Sequence, residues 1–232
     1  VTNHELALRM ETSDEWIQQR TGIEQRYWIP EEGGVGVSDL GLEASKIAMA
    51  RAGWKPEDLD MIIFATLSPD LFFPGSGCLL AHKLGLTATP ALDIRQQCTG
   101  FLYGLATADA YIRSGLARRV LLVGAEVHST GLDISTRGRD VAVIFGDGAA
   151  AVCLEPVEAD TKAGVLAACL HADGVWRLAI ERNGQRIARQ LCGEDQPEAM
   201  VRALQTGGRA GTVVSGGAQG CWYAERGSAG RH

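Results

Sequence analysis

No stretch of the 232 residues is apolar for long enough to cross a bilayer as a helix, which sets aside a helical membrane protein. The opening residues lack the basic, then apolar, then small-residue order of a secretory leader, so none is expected. Positive charge is not in excess. With 22 Lys and Arg against 28 Asp and Glu, the net charge is −6, and nucleic acid is not expected as the main partner. The six cysteines, at positions 78, 98, 153, 169, 192 and 221, form no Cys-x-x-Cys pair and lack the density of a disulfide scaffold. A metal site is therefore not expected, and reduced thiols in the cytoplasm are. No Gly-x-Gly-x-x-Gly follows a strand and opens a helix, so Gly146-Asp147-Gly148 is not read as a dinucleotide loop. No internal repeat is visible.

What remains is ordinary globular composition, 46% hydrophobic and 22% charged, in a length that suits one large domain or two small ones. The chain is organised around Asp93-Ile94-Arg95-Gln96-Gln97-Cys98-Thr99-Gly100-Phe101, where a strand-like run, Pro90 to Ile94, meets a helix-like run, Phe101 to Ile112. Cys98 falls at the junction. Unpaired amides and the helix dipole favour an anion there, and a thiolate is one. The position suits a nucleophile; it also suits a small buried apolar residue, as most free cysteines are.

Thr12-Ser13-Asp14-Glu15 reads as a capping box with Thr12 as the cap, opening a helix from Asp14 to Arg20 that stops at Thr21-Gly22. Trp16 and Arg20, four apart, share a face of it. Together they offer a stacking plate and a cation for a nucleotide, or else a core Trp with a solvated Arg. Glu31 to Val37 is a loop. Ser38 to Ala52 is an amphipathic helix with Leu42, Ala44, Ile47, Ala48 and Arg51 at helical spacing, closed by Gly53. Leu59 to Leu67 and Arg119 to Gly124 are continuous apolar runs of strand length, as expected where both faces are covered. Between them lie the loop Ser68 to Gly75, with Phe72 and Phe73 adjacent, and a helix from Ser76 to Leu84. Val141 to Phe145, Ala149 to Leu154 and Gly164 to His171 are three further strand candidates. The alternation predicts a parallel α/β sheet, whose ligands bind beyond the carboxyl ends of the strands, where Cys98 lies.

From about Asn183 the character changes. Residues 183–232 hold 10 of the 29 glycines and six basic against four acidic residues, while residues 1–182 have 16 basic against 24 acidic. Pro197 to Leu204 reads as helical, and Thr206 to His232 as loop or disorder.

Several segments carry a resemblance through their order and spacing. They are Thr12 to Ile17 with Arg20-Thr21-Gly22-Ile23, Phe73-Pro74, Cys98-x-Gly100-Phe101, Arg137-Gly138, Phe145-Gly146-Asp147-Gly148-Ala149 and Leu170-His171-Ala172-Asp173-Gly174. From about Thr2 to Gly174 the chain resembles β-ketoacyl-[acyl-carrier-protein] synthase III, the initiating condensing enzyme of type II fatty acid synthesis, in the thiolase superfamily. The resemblance implies an α/β fold. Residues 1–182 would form a thiolase-like N-terminal half without its first strand, a mostly parallel mixed sheet with helices on both faces. Residues 183–232 would form an irregular tail, read as truncated or frameshifted.

The resemblance further implies that Cys98 takes the acyl group of an acyl-CoA and that malonyl-acyl carrier protein then decarboxylates and condenses with it. Trp16 and Arg137 match the positions that sandwich the CoA adenine, and Arg20 a neighbouring CoA-phosphate contact. Phe73 matches a loop residue that crosses a homodimer interface to wall the partner's acyl pocket. The Cys98 N–H would contribute to an oxyanion hole. Acyl-CoA is then a substrate rather than a permanently bound cofactor, and the partners are the carrier protein and a second copy, with no membrane. Arg113, Arg118 and Arg119 are carrier-protein candidates by charge alone. The family draws a catalytic His and Asn from a second half. None of His4, His82, His128, His171 and His232 lies in a His-Gln-Ala-Asn or Gly-Asn-x-Ser context. A non-catalytic fragment, a CoA-binding or dimerising relic and another thiolase-superfamily starter synthase are therefore alternatives. Gln96, Gln97 and Thr99 stand where the family often has Ala or Ser, which leaves the acyl preference open.

Overall fold

The computed structural model describes residues 1–30, 32–158, 164–168 and 170, together with the backbone of Gly211–Ser215, Cys221–Glu225 and Ser228–Arg231. They fall into two compact units, Val1–Ser13 with Glu24–Leu170, and Asp14–Ile23 with His171–His232.

The first unit opens with α1 (Asn3–Ala7), whose start is a capping box. Thr2 Oγ1 accepts from Glu5 N, and the Glu5 carboxylate accepts from Thr2 N at 2.6 Å. The Thr-x-x-Glu signature is thus used at Thr2. In the second unit α2 (Asp14–Thr21) begins at Asp14, and Thr12 does not cap it. Among the described residues the buried Thr12 hydroxyl has no hydrogen-bond partner. Thr12 lies two residues ahead of the first helical residue, too far back to reach the free amides of that turn.

Back in the first unit, α3 (Val37–Ala52) ends where expected, with Gly53 at φ +70° donating its N–H to Ala50 and Met49 carbonyls. The buried face differs from the one expected. It comprises Val37, Ser38, Gly41, Ser45 and Met49, while Ile47 is exposed. Size rather than apolarity selected it. A Cβ on Gly41 would lie 2.8 Å from the Phe64 ring and 3.3 Å from Val123, so glycine lets the helix axis approach the sheet.

That sheet holds β1 (Met61–Ala65), β2 (Ala91–Ile94), β3 (Val120–Glu126) and β4 (Gly148–Leu154) in the order β2-β1-β3-β4. β1 runs parallel to both neighbours, and β3 pairs antiparallel with β4. It is the mostly parallel mixed sheet that the resemblance implied; the alternation of runs alone predicted a parallel one, from which β4 departs. Two clusters seal it. On one face Ile62, Phe64, Leu121 and Val123 meet α3 and Leu80 and Ala81 of α4 (Ser76–Lys83). On the other, Met61, Ile63, Val120 and Leu122 meet α5 (Gly100–Arg113). Alternate residues of one strand thus belong to opposite cores, which is why β1 and β3 read as unbroken apolar runs. α5 lies down through Gly100, Gly104 and Ala108, and a Cβ on Gly104 would fall 2.5 Å from Leu122 Cδ1.

Two strand expectations fail. Residues 141–145 are not a strand. α6 (Arg139–Ala142) takes the first two, and Val143 and Ile144 close it with short-range hydrogen bonds. A short apolar run does not by itself distinguish helix from strand. Residues 164–168 and 170 carry no strand either.

In the tail, Pro197 to Leu204 lies outside the described residues. Thr206 to His232 is not loop throughout. β5 (Gly211–Ser215), β6 (Cys221–Glu225) and β7 (Ser228–Arg231) form an antiparallel sheet in that order. Val213, Val214, Trp222 and Tyr223 supply the β-favouring types that the glycines obscured. Among the described residues no helix is long and apolar enough to cross a membrane.

Gly41→Val is expected to destabilise the first unit by about 1–3 kcal/mol, because the Phe64 ring has no room to yield. Urea unfolding measures the loss, and Ala44→Val, on a less buried face of the same helix, is the control.

Candidate active site

β2 ends at Ile94, beside Ala65 of β1 in the parallel register. The chain then turns through a 3₁₀ turn, Gln97–Thr99, directly into α5. Cys98 is exposed in the middle of that turn, beyond the carboxyl edge of the sheet. Gln97, just before it, has φ +42°, a left-handed conformation that costs a residue with a side chain about 1 kcal/mol or more. Thr99 closes the turn by donating its N–H and its hydroxyl to the Gln96 carbonyl at 3.1 and 2.9 Å. Behind it, Gly100 brings α5 against β1, with room for a Cβ only 3.2 Å from that of Ala65. The nucleophile candidate is therefore held by a strained turn between a keyed helix and the sheet edge.

Carboxylates fix the surroundings. Asp93, on β2, accepts from Ser76 N at 2.6 Å and Gly77 N at 2.8 Å, which ties the end of β2 to the start of α4. Burial pushes its carboxyl up, against the pull of those two amides. Asp147 accepts from Ile29 N, His128 N and Ser129 N at 2.7–2.9 Å and from the Ser129 hydroxyl. Gly146-Asp147-Gly148 is thus a structural turn whose carboxylate gathers three backbone segments. Arg26 anchors the approach to it. Its buried guanidinium donates to the Asn3 side chain and to the Val143 and Val1 carbonyls at 2.7–3.2 Å, and burial lowers its pKa.

The other positions singled out from the sequence lie in both units. Arg20 stands 4.2 Å over the Trp16 ring, both on α2 in the second unit, so the predicted shared face exists. Arg137, in the 3₁₀ turn Thr136–Gly138 of the first unit, is largely exposed and pairs with Asp133 through Nε and Nη2 at 2.8 Å. The Asp133 carboxyl is held down at about 2 by the Ser135 hydroxyl and N–H and by Arg137. Phe73 is 89% exposed and Phe72 86%, at the tip of the loop between β1 and α4. Of the three arginines considered by charge, Arg113 is paired with Asp109 at 2.7 Å, and Arg119 with Asp58 at 3.2 Å and Glu155 at 3.7 Å. Neither is a spare cation. Among the described residues no group of three or more His, Cys, Asp or Glu side chains is arranged to hold a metal ion.

Sequence reading missed the carboxylates. Glu126 ends an apolar run, and that position was a signal, because an acid at a strand terminus faces unpaired amides.

Asp147 yields a pH prediction. Burial alone would raise its carboxyl, but the Ser129 hydroxyl and the amides of Ser129, Ile29 and His128 outweigh that and hold it below 3.8. Its stabilisation is complete above the unfolded-state value and is lost as pH falls through the lower folded-state value. Asp147→Asn should therefore unfold about 1–3 kcal/mol more easily at pH 7. The gap to wild type should close below about pH 4, as read by urea titrations at stepped pH.

The sequence profile of the family described as 3-oxoacyl-[acyl-carrier-protein (ACP)] synthase III matches residues 92–174, which include Cys98 and Arg137. The β-ketoacyl-[acyl-carrier-protein] synthase III of Erythrobacter litoralis (strain HTCC2594) is 49% identical over 194 residues, 83% of this chain and 59% of the relative. That of Rhizobium meliloti (strain 1021) is 49% identical over 187 residues, 79% and 57%. The chain thus spans less than three fifths of the length of these curated relatives. The crystal structure of 3-oxoacyl-[acyl-carrier-protein] synthase III from Aquifex aeolicus VF5 superposes with a TM-score of 0.64 at 42% identity, covering 68% of this chain and 50% of that one. With its thiolase-like sheet and the cysteine turn at the sheet's carboxyl edge, the chain is similar in sequence and fold to 3-oxoacyl-[acyl-carrier-protein] synthase III proteins over somewhat more than half of their length.

Proposed function

We propose that this chain carries the acyl-accepting part of a synthase III-type acyltransferase, with Cys98 as the nucleophile. The observation that supports this most is the exposed thiol in a strained turn that opens a long, keyed helix. The Cys98 thiolate adds to the thioester carbonyl of an acyl-CoA, the Cys98 N–H stabilises the oxyanion, and the C–S bond to CoA breaks to give the acyl-enzyme and CoA thiolate. In the second step malonyl-acyl carrier protein loses carbon dioxide. Its carbanion attacks the acyl carbonyl, forms the new C–C bond and releases the Cys98 thiolate with a 3-oxoacyl-acyl carrier protein.

By the same resemblance Trp16 and Arg20 on α2, and separately Arg137 in the first unit, are candidates for contacts with the nucleotide part of CoA. The cation–π contact of Arg20 on Trp16 supports the pairing on α2, since it holds the guanidinium over the indole. The whole protein would act as a cytoplasmic homodimer in which Phe73 walls the partner's acyl pocket. The exposure of Phe72 and Phe73 on one loop favours such an interface. A second reading, CoA binding and self-acylation without condensation, is favoured by the histidines, none of which lies in the family's catalytic context.

Intact-protein mass after incubation with acetyl-CoA should show one acyl adduct, absent in Cys98→Ala. No adduct in a folded protein would sink the acyltransferase reading. Carbon dioxide released from malonyl-acyl carrier protein separates condensation from self-acylation alone. Trp16→Ala and Arg137→Ala should each raise the acetyl-CoA concentration for half-maximal adduct rate by about 3- to 30-fold. The same variants should leave acylation by acetyl-pantetheine, which lacks the nucleotide, unchanged. Equal losses with both donors would place these residues outside nucleotide binding.

A further inference from the structure

The loop between β1 and α4 combines two features that rarely coexist. Its tip is apolar and open to water, with Leu71 52%, Phe72 86% and Phe73 89% exposed. Its feet are bound by an unusual density of carboxylate contacts. Just ahead of the tip, Asp70 accepts from Ser38 N at 3.0 Å and from the Ser76 hydroxyl at 2.8 Å, joining the loop to the starts of α3 and α4. At the near foot everything converges on Glu126, the last residue of β3. It accepts from Leu67 N at 2.8 Å, Ser68 N at 3.2 Å and the Ser68 hydroxyl at 2.6 Å, with the Thr66 hydroxyl at 3.4 Å. The Ser68 oxygen in turn accepts from Val127 N at 2.9 Å, so the loop and the end of β3 are stitched from both sides. His128 Nε2 stands 3.7 Å from the same carboxylate.

An exposed loop gains little from folding by being so tightly held. The exposed aromatics explain it, because a tip that must meet another surface loses less entropy if its pose is set beforehand. We propose that Glu126 is a positioning residue that sets the pose of the Leu71–Phe73 tip. This rests on the reading of Phe73 as the residue that a second copy receives at its acyl pocket. A carboxylate suits this role because its two oxygens serve two adjacent amides and two hydroxyls at once. Leu67 and Ser68, where the chain leaves β1, are thereby fixed, and the direction of the tip follows.

Hydrogen exchange on the full chain is the first test, read on the peptide covering residues 66–74. Exchange there should rise about tenfold or more in Glu126→Ala, while peptides from α3 and β1 keep their protection. Glu126→Gln, with one acceptor in the same volume, should fall between. Ser68→Ala, which removes only the hydroxyl contacts, is the milder variant if Glu126→Ala does not fold. Unchanged exchange at 66–74 in the folded variants would overturn the proposal, as would an equal rise everywhere.

The second test compares acetyl-CoA with octanoyl-CoA as donors to Cys98 in Glu126→Ala, Phe73→Ala and the double variant. If Glu126 acts through the tip, the two single variants should shift the chain-length preference in the same direction. The double variant should then match Phe73→Ala alone. Additive shifts would overturn the link. If Phe73→Ala leaves both the preference and the sedimentation behaviour unchanged, the reading of Phe73 fails, and the exchange result still decides for or against Glu126.

Discussion

β1 and β3 are sealed from water on both faces, and every functional candidate in the first unit depends on that sealing. A strand with two buried faces must have helices on both sides close enough to exclude water. Here the closeness comes from small side chains on the helices: Gly41 and Ser45 on α3, and Gly100, Gly104 and Ala108 on α5. Bulk is supplied by the sheet, from Phe64 and Leu122, and the helices provide the hollows. The central strands cannot shift sideways, so their carboxyl ends are fixed points from which loops are hung.

Along the same edge of the sheet stand acids. Asp93, Glu126 and Asp147 each take two or more backbone N–H groups from segments distant in sequence. The chemistry is common to all three. Strand ends and helix starts leave amides without a partner in their own element, and a carboxylate satisfies several at once. Burial resists the charge, as the raised carboxyl of Asp93 shows, and sufficient donors overcome it, as at Asp147. The carboxyl edge is therefore a set of stiff turns. The Cys98 thiol on one of them and an aromatic pair on another keep a constant relation to the sheet.

Much of this was legible in the residues. Continuous apolar runs gave β1 and β3, Gly53 stopped α3, and the junction at Cys98 lay within one 3₁₀ turn of its expected place. What escaped was governed by size or by distance along the chain. The buried face of α3 is chosen for smallness, so Ile47, apolar and in helical phase, points to water while Gly41 and Ser45 face the core. Two Thr-x-x-Glu signatures compete near the start, and only the one at Thr2 has its hydroxyl next to a helix. Val141 to Phe145 is apolar enough for a strand, yet Gly138 and Arg139 begin a helical turn that absorbs it. The partners of Glu126 lie 58 to 60 residues away, and no local pattern announces them.

The glycine face of α5 fixes where that helix sits along its own axis. A slide by one residue would drive Tyr103 or Leu105 into the space that Leu122 leaves for Gly104. The turn carrying Cys98 is continuous with this helix, so the thiol inherits the same registration. Gln96, Gln97 and Thr99 are outside the glycine face, on the open side of the junction. A single inserted residue in α5 would displace the sulfur. The place of the thiol relative to the sheet edge is therefore set by the length and small-residue face of α5.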